Sequence, residues 1–220
     1  MIKRFVLTLI LIMLPVECFA AFSEVEFGRY YQDANSKELS PIKWLVLDEN
    51  GEAFLLMTKN CIDEIPYNEH RVNVTWENCS LRKWLNDKFL FLNVAFTVEE
   101  QDSMLPVVLS DKVFVLNREE VLQYLPNETD RQCVPTDYSI HRGTYVNDGG
   151  LCAWWTRDPA PNAQAVYMSS YGTFGNRPHY VDDKVIGVRP AVEETMIEPR
   201  YSFAHLLIRN KELIPSGTGL

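Results

Sequence analysis

Asn50-Gly51 stands between two apolar runs, residues 42–47 and 53–58. Asn-Gly readily takes the positive-φ pair of a two-residue hairpin turn, so the runs predict two antiparallel strands. That hairpin excludes an all-helical chain and a purely parallel sheet. Residues 25–31 alternate and are aromatic, which reads as an earlier strand. The period then changes. Leu81, Trp84, Leu85 and Phe89 fall at i, i+3, i+4 and i+8, the stripe of an amphipathic helix spanning 75–86, with Thr75 or Ser80 as its cap. Thr97 with Glu100 forms a capping-box pattern. Asn117 with Glu120 starts a further helix, which Pro126 stops after Leu125. Residues 113–116 read as a brief buried strand, 151–157 and 163–169 as strands around a Pro-rich turn, and 184–192 as the last strand. Residues 127–150 are polar and turn-rich, a long loop of the kind that carries function or moves. Strands, then helices, then short strands predict an α+β domain, mostly antiparallel, with two or three helices alongside.

The first twenty residues are set apart. Lys3 and Arg4 precede an uncharged, apolar-rich run at 5–14, Pro15 breaks it, and Ala20 is a small residue at the expected cleavage point. Ten residues are too few for the roughly 20 that span a bilayer as a helix, so the segment reads as a cleavable export signal. Glu17 directly before Cys18 fits a lipoprotein site badly. The expected product is secreted or periplasmic: one domain over 21–192 and an extension over 193–220. Losing residues 1–20 takes basic residues from 21 to 19 and acidic ones from 30 to 29, so the net charge moves from −9 to −10. An acidic surface without a basic patch argues against nucleic acid or anionic membrane as partners. No later stretch is long and apolar enough to span a membrane.

Four cysteines remain: Cys61, Cys79, Cys133 and Cys152. An even count in an exported chain predicts two disulfides. Of the three pairings, Cys61–Cys79 with Cys133–Cys152 closes two short loops of similar size. The second would staple the base of the long loop. No C-x-x-C pair occurs, which disfavours a structural zinc site.

Seven stretches occur in order: Phe27-Gly28-Arg29-Tyr30; residues 41–47; Pro66-Tyr67-Asn68; Thr75-Trp76-Glu77 with residues 80–86; Ala95-Phe96; Trp154-Trp155-Thr156-Arg157-Asp158-Pro159; and Gly187-Val188-Arg189-Pro190-Ala191. Together they resemble a family of bacterial domains of unknown function with a Trp-Trp-Leu-Arg-Ser-Pro signature and a terminal Gly-Val-Arg-Pro-Ala-Leu. The likeness covers residues 25–192. Thr156 and Asp158 depart from that signature. The family is distantly similar to C-type-lectin-like domains, in the branch shared with formylglycine-generating enzymes. That resemblance implies that the first and last strands lie side by side and that the long loop projects as a binding surface.

Trp154 and Trp155 are adjacent on a strand and point to opposite faces, so one is a candidate to stack on a sugar or anchor a partner unless both are packed inside. Arg157 and Arg189 are candidates to grip a carboxylate, or to brace backbone carbonyls and nearby acids. Asn147 and Asp148, with Asp130 and Asp137, offer oxygens of the kind calcium takes, but Asn-Asp-Gly-Gly reads first as a turn. His70, His141, His179 and His205 are scattered and match no metal or catalytic motif. No serine-hydrolase elbow, phosphate loop or dinucleotide fingerprint is present. The function expected is therefore an exported, non-catalytic binding or adhesion domain for a glycan or protein. The alternatives are an oxidoreductase or hydrolase related to formylglycine-generating enzymes, and a structural component of an envelope assembly.

Overall fold

The structure is a computed structural model that describes residues 22–35, 37–51 and 53–195. The export signal expected at 1–20, His205 and most of the expected extension lie outside them. The elements run β1 (Glu24–Tyr30), β2 (Ser40–Glu49), β3 (Ala53–Thr58), β4 (Asp63–Glu64), α1 (Ser80–Asn86), α2 (Phe91–Ala95), α3 (Val98–Ser103), β5 (Met104–Leu105), β6 (Val113–Phe114), α4 (Arg118–Tyr124), α5 (Glu128–Arg131), α6 (Asp137–Arg142), β7 (Trp154–Ala160), β8 (Gln164–Met168), β9 (His179–Tyr180), β10 (Gly187–Val188) and β11 (Ala191–Thr195). A single 3₁₀ turn, Trp76–Asn78, precedes α1.

The fold is mixed α/β, with antiparallel strands in a curled half-barrel and short helices. The first sheet has the order β1-β2-β3-β11-β5, with β6 also pairing β11. The predicted hairpin forms: Gly51 takes φ +85, and Asn50 Oδ1 accepts from Ala53 N at 2.9 Å. The second sheet has the order β4-β10-β7-β8-β9, antiparallel except where β10 lies parallel to β7.

The expected final strand divides between the two sheets. Gly187 and Val188 pair in the second, Arg189-Pro190 cross over, and Ala191 enters the first. Proline lacks the N–H that a continuing ladder needs, so the strand breaks there. β11 pairs with β3, β5 and β6, while β1 pairs with β2. The expectation that the first and last strands are neighbours is thus corrected: β2 and β3 separate them. β11 also continues to Thr195, three residues into the expected extension.

The long loop expected over 127–150 contains α5 and α6. Asp130 accepts from Asn127 N at 3.2 Å, and Thr136 accepts from Ser139 N at 3.1 Å, so both short helices are capped. The helix expected over 75–86 is broken at Cys79, which is extended and whose sulfur accepts from Arg82 N as the cap of α1. α1 ends at Asn86, so Phe89 falls outside the stripe and is 78% exposed, whereas Leu81 and Leu85 are buried.

Gly28 shows why a glycine occupies that position. It has φ +65 in the irregularity between Glu26 and Arg29, and an added Cβ would stand 2.5 Å from the Phe96 ring. Phe27, Trp44 and Phe96 pack together there, and the Trp44 indole donates to Phe27 O at 2.7 Å.

Candidate functional site

β4, the loop after it, α1, the end of α6 and Lys184 bound a cleft of about 770 Å³. β4 is held in place by β10, where Glu64 faces Gly187. Gly143 ends α6 at φ +132; an added Cβ would sit 3.4 Å from Lys184 O and 3.7 Å from Glu64 Cγ. Those are ordinary contacts, so the positive φ, and not the space, is what calls for glycine at the end of α6.

Asp63 and Glu64 are adjacent buried acids with different surroundings. The Tyr30 hydroxyl donates to Asp63 Oδ2 at 2.7 Å, Glu64 N donates to Oδ1 at 2.7 Å, and Arg142 Nε reaches Oδ1 at 3.3 Å. Burial still pushes the Asp63 carboxyl up against these three contacts, which pull it down. Glu64 is only 6% exposed, and its Oε1 has no hydrogen-bond partner. Burial, and then the charge of Asp63, push its carboxyl up to about 7, with Lys184 and Arg142 opposing. A shifted acid in a cleft marks a candidate functional position.

Trp84 lines the same cleft, its ring stacked on Phe91 at 5.0 Å and 27°. Lys83, Asp87 and His70 also line it. Asn68 is occupied: Oδ1 accepts from Ser80 N and Oγ, and Nδ2 donates to His70 O. The surface thus offers an aromatic plate and cations, with the buried Glu64 carboxyl behind them.

The residues expected to bind a ligand lie elsewhere. Trp154 and Trp155 are both fully buried, so neither is available to a sugar. The Trp154 indole donates to Arg131 O, and Trp155 packs edge-on to Tyr67. Arg157 makes a two-pronged ion pair with Glu120 and donates to Val115 O, which ties β7 to α4. Arg189 is 1% exposed and donates to Thr58 O and Lys59 O. Both arginines brace the fold instead of gripping a ligand carboxylate. Asn147 Oδ1 accepts from Gly149 N and Leu151 N, a turn in which it has no lone pair to spare for calcium, while Asp148 is exposed. His179 Nδ1 is 2.6 Å from Asp183 Oδ2, and His141 is exposed.

All four cysteines are buried thiols. The expected Cys61–Cys79 bond does not form. Cys79 sits at the start of α1, its thiol donating to Trp76 O, and burial pushes it up to about 11. Cys61 instead joins Cys133 and Cys152, with the three sulfurs within 4.8 Å of one another. Cys133 and Cys152 face each other across a β-bridge, as the expected staple requires, yet both are thiols.

Sequence reasoning overlooked Glu64 and Trp84 as site residues. Nothing local marks Glu64, because its environment is assembled from α1, α6 and Lys184. Trp84 was legible as a helix-stripe residue, and only the early end of α1 leaves it beside open space.

A family model described as a domain of unknown function, DUF6273, matches residues 50–193, about two thirds of the chain. The match begins at the Asn50 turn and runs into β11, so it takes in Glu64, Trp84 and all four of these cysteines. No curated protein and no solved structure matches the chain.

Proposed function

We propose that this chain, which belongs to the DUF6273 family, is an exported, non-catalytic binding domain that takes a hydroxyl-rich ligand of glycan type in the Glu64 cleft. The observation that carries the reading is the cleft wall itself: the half-buried Trp84 ring flanked by Lys83, Arg142 and Lys184, with the Glu64 carboxyl among them. Trp84 supplies an apolar plate for the face of a sugar ring, and Lys83, Arg142 and Lys184 supply donors to its oxygens. The lectin-like kinship of the sequence motifs belongs to the same proposal, as does export directed by residues 1–20.

The test is an array of neutral, acidic and amino-sugar oligosaccharides, probed with the wild type, Trp84→Ala and Glu64→Gln. The expected result is one bound class, weakened about tenfold or more by Trp84→Ala and weakened by Glu64→Gln above pH 7. Wild-type binding that neither substitution alters would move the site elsewhere, and an array without any bound sugar would sink the glycan reading. Export is tested separately: N-terminal sequencing of the protein from the cell exterior or periplasm should begin at Ala21, and an intact Met1 would refute it.

A further inference from the structure

The thiol trio stands on observations independent of the cleft. Cys61 follows β3 and is bridged to Pro135, Cys133 lies between α5 and α6, and Cys152 just precedes β7. Thr136 N donates to Cys61 O and Cys152 N to Cys133 O, each at 2.9 Å, so backbone bonds fix the positions of all three. Gly187 closes over them: a Cβ there would lie 2.9 Å from Cys61 Cβ and 3.0 Å from its sulfur. The sulfurs lie within 4.8 Å of one another and form no disulfide. A disulfide needs about 2.05 Å, whereas bonds of about 2.3 Å to one shared metal hold sulfurs roughly 4 Å apart.

Arg189 is the second observation. It is 1% exposed, its Nη1 has no hydrogen-bond partner, and among the described residues no carboxylate lies within ion-pair distance of it. Its Nη2 and the Cys133 sulfur approach the same carbonyl, Lys59 O, at 3.4 and 3.7 Å. A buried cation without an anion is costly. Thiolates would answer it.

We propose that Cys61, Cys133 and Cys152 together hold one soft metal ion, copper(I) or zinc(II), with Arg189 as the charge-balancing neighbour. Thiolate ligands select these ions over hard cations. The absence of a C-x-x-C pair is no obstacle, because the ligands come from three separate segments. Each coordinating thiol gives up its proton as its sulfur binds, and no oxidation is involved. Zinc with three thiolates carries one negative charge, which Arg189 neutralises. Copper(I) with three thiolates carries two negative charges, of which Arg189 offsets one. The sulfurs are buried, so the ion is acquired as the chain folds.

The test refolds the whole chain from denaturant with reductant and one equivalent of copper(I) or zinc(II) in separate arms, then removes unbound ion by gel filtration. One ion retained per chain is expected in at least one arm, and that arm names the metal. X-ray absorption of the wild type should show three sulfur neighbours at about 2.3 Å. Cys79→Ser should retain the ion fully, and Cys152→Ser should bind at least a hundredfold more weakly. The proposal is overturned if a refolded wild type keeps neither ion, if fewer than three sulfurs surround it, or if the native protein carries a disulfide within the trio and no metal.

Discussion

Glu64 couples the cleft to pH. Its carboxyl is raised from 4.5 to about 7, so between those values the folded chain keeps a proton that the unfolded chain releases. Stability therefore falls as pH rises through that window and levels off above it. The shift corresponds to at most about 3 kcal/mol. Urea unfolding of Glu64→Gln should show it gaining up to about 3 kcal/mol on the wild type between pH 4.5 and 8, and a constant difference would contradict the assignment. Arg157 is a contrasting case. Its ion pair with Glu120 is partly buried, at 14% and 28% side-chain exposure. Arg157→Ala should destabilise by about 3 kcal/mol while leaving ligand binding in the cleft unchanged; lost binding in a folded variant would restore the arginine as a ligand residue. The sequence singled out Trp154, Trp155, Arg157 and Arg189 as binding candidates, but residue type alone does not tell a packing role from a binding one. That depends on what covers each side chain, and the covering segments are far away in the chain.

At the level of elements, the local signals were the legible ones. Thr97 with Glu100 and Asn117 with Glu120 each form the reciprocal capping box that their spacing predicts. Thr97→Ala and Asn117→Ala should each cost about 1 kcal/mol in urea unfolding; an unchanged midpoint would show that the cap contributes nothing. Gly28→Ala combines a positive φ with a clash against Phe96, and should cost about 3 kcal/mol from the two effects together. β3 was read from Ala53 to Thr58, its observed limits. α2, α5 and α6 were missed because helices of four to six residues are too short to display a period of 3.6. The break at Cys79 was missed because Leu81 and Leu85 keep the helical stripe whether or not the preceding turn joins α1.

For the whole molecule, the strand order lay beyond sequence reasoning. An antiparallel hairpin is announced by its turn, but nothing local says that β11 inserts between β3 and the pair β5 and β6. The same non-locality hid the thiol trio, whose members come together through the Cys61–Pro135 and Cys133–Cys152 bridges between distant segments. β11 pairs five residues with β3, from Ala191 opposite Met57 to Thr195 opposite Ala53, and closes the first sheet in its middle. A chain shortened to end at residue 186 should therefore lose cooperative unfolding and its near-ultraviolet circular dichroism; a sharp transition in that chain would show that the sheet stands without its inner strand.

That inner strand also sets a timetable. Synthesis runs from the N-terminus, so the strand that completes the sheet is among the last described segments to emerge. Until it does, β3 and the β5–β6 region have no partner between them, and the first sheet stays open. A domain sealed by a late strand completes its first sheet only near the end of synthesis, an order of assembly compatible with the export proposed for it.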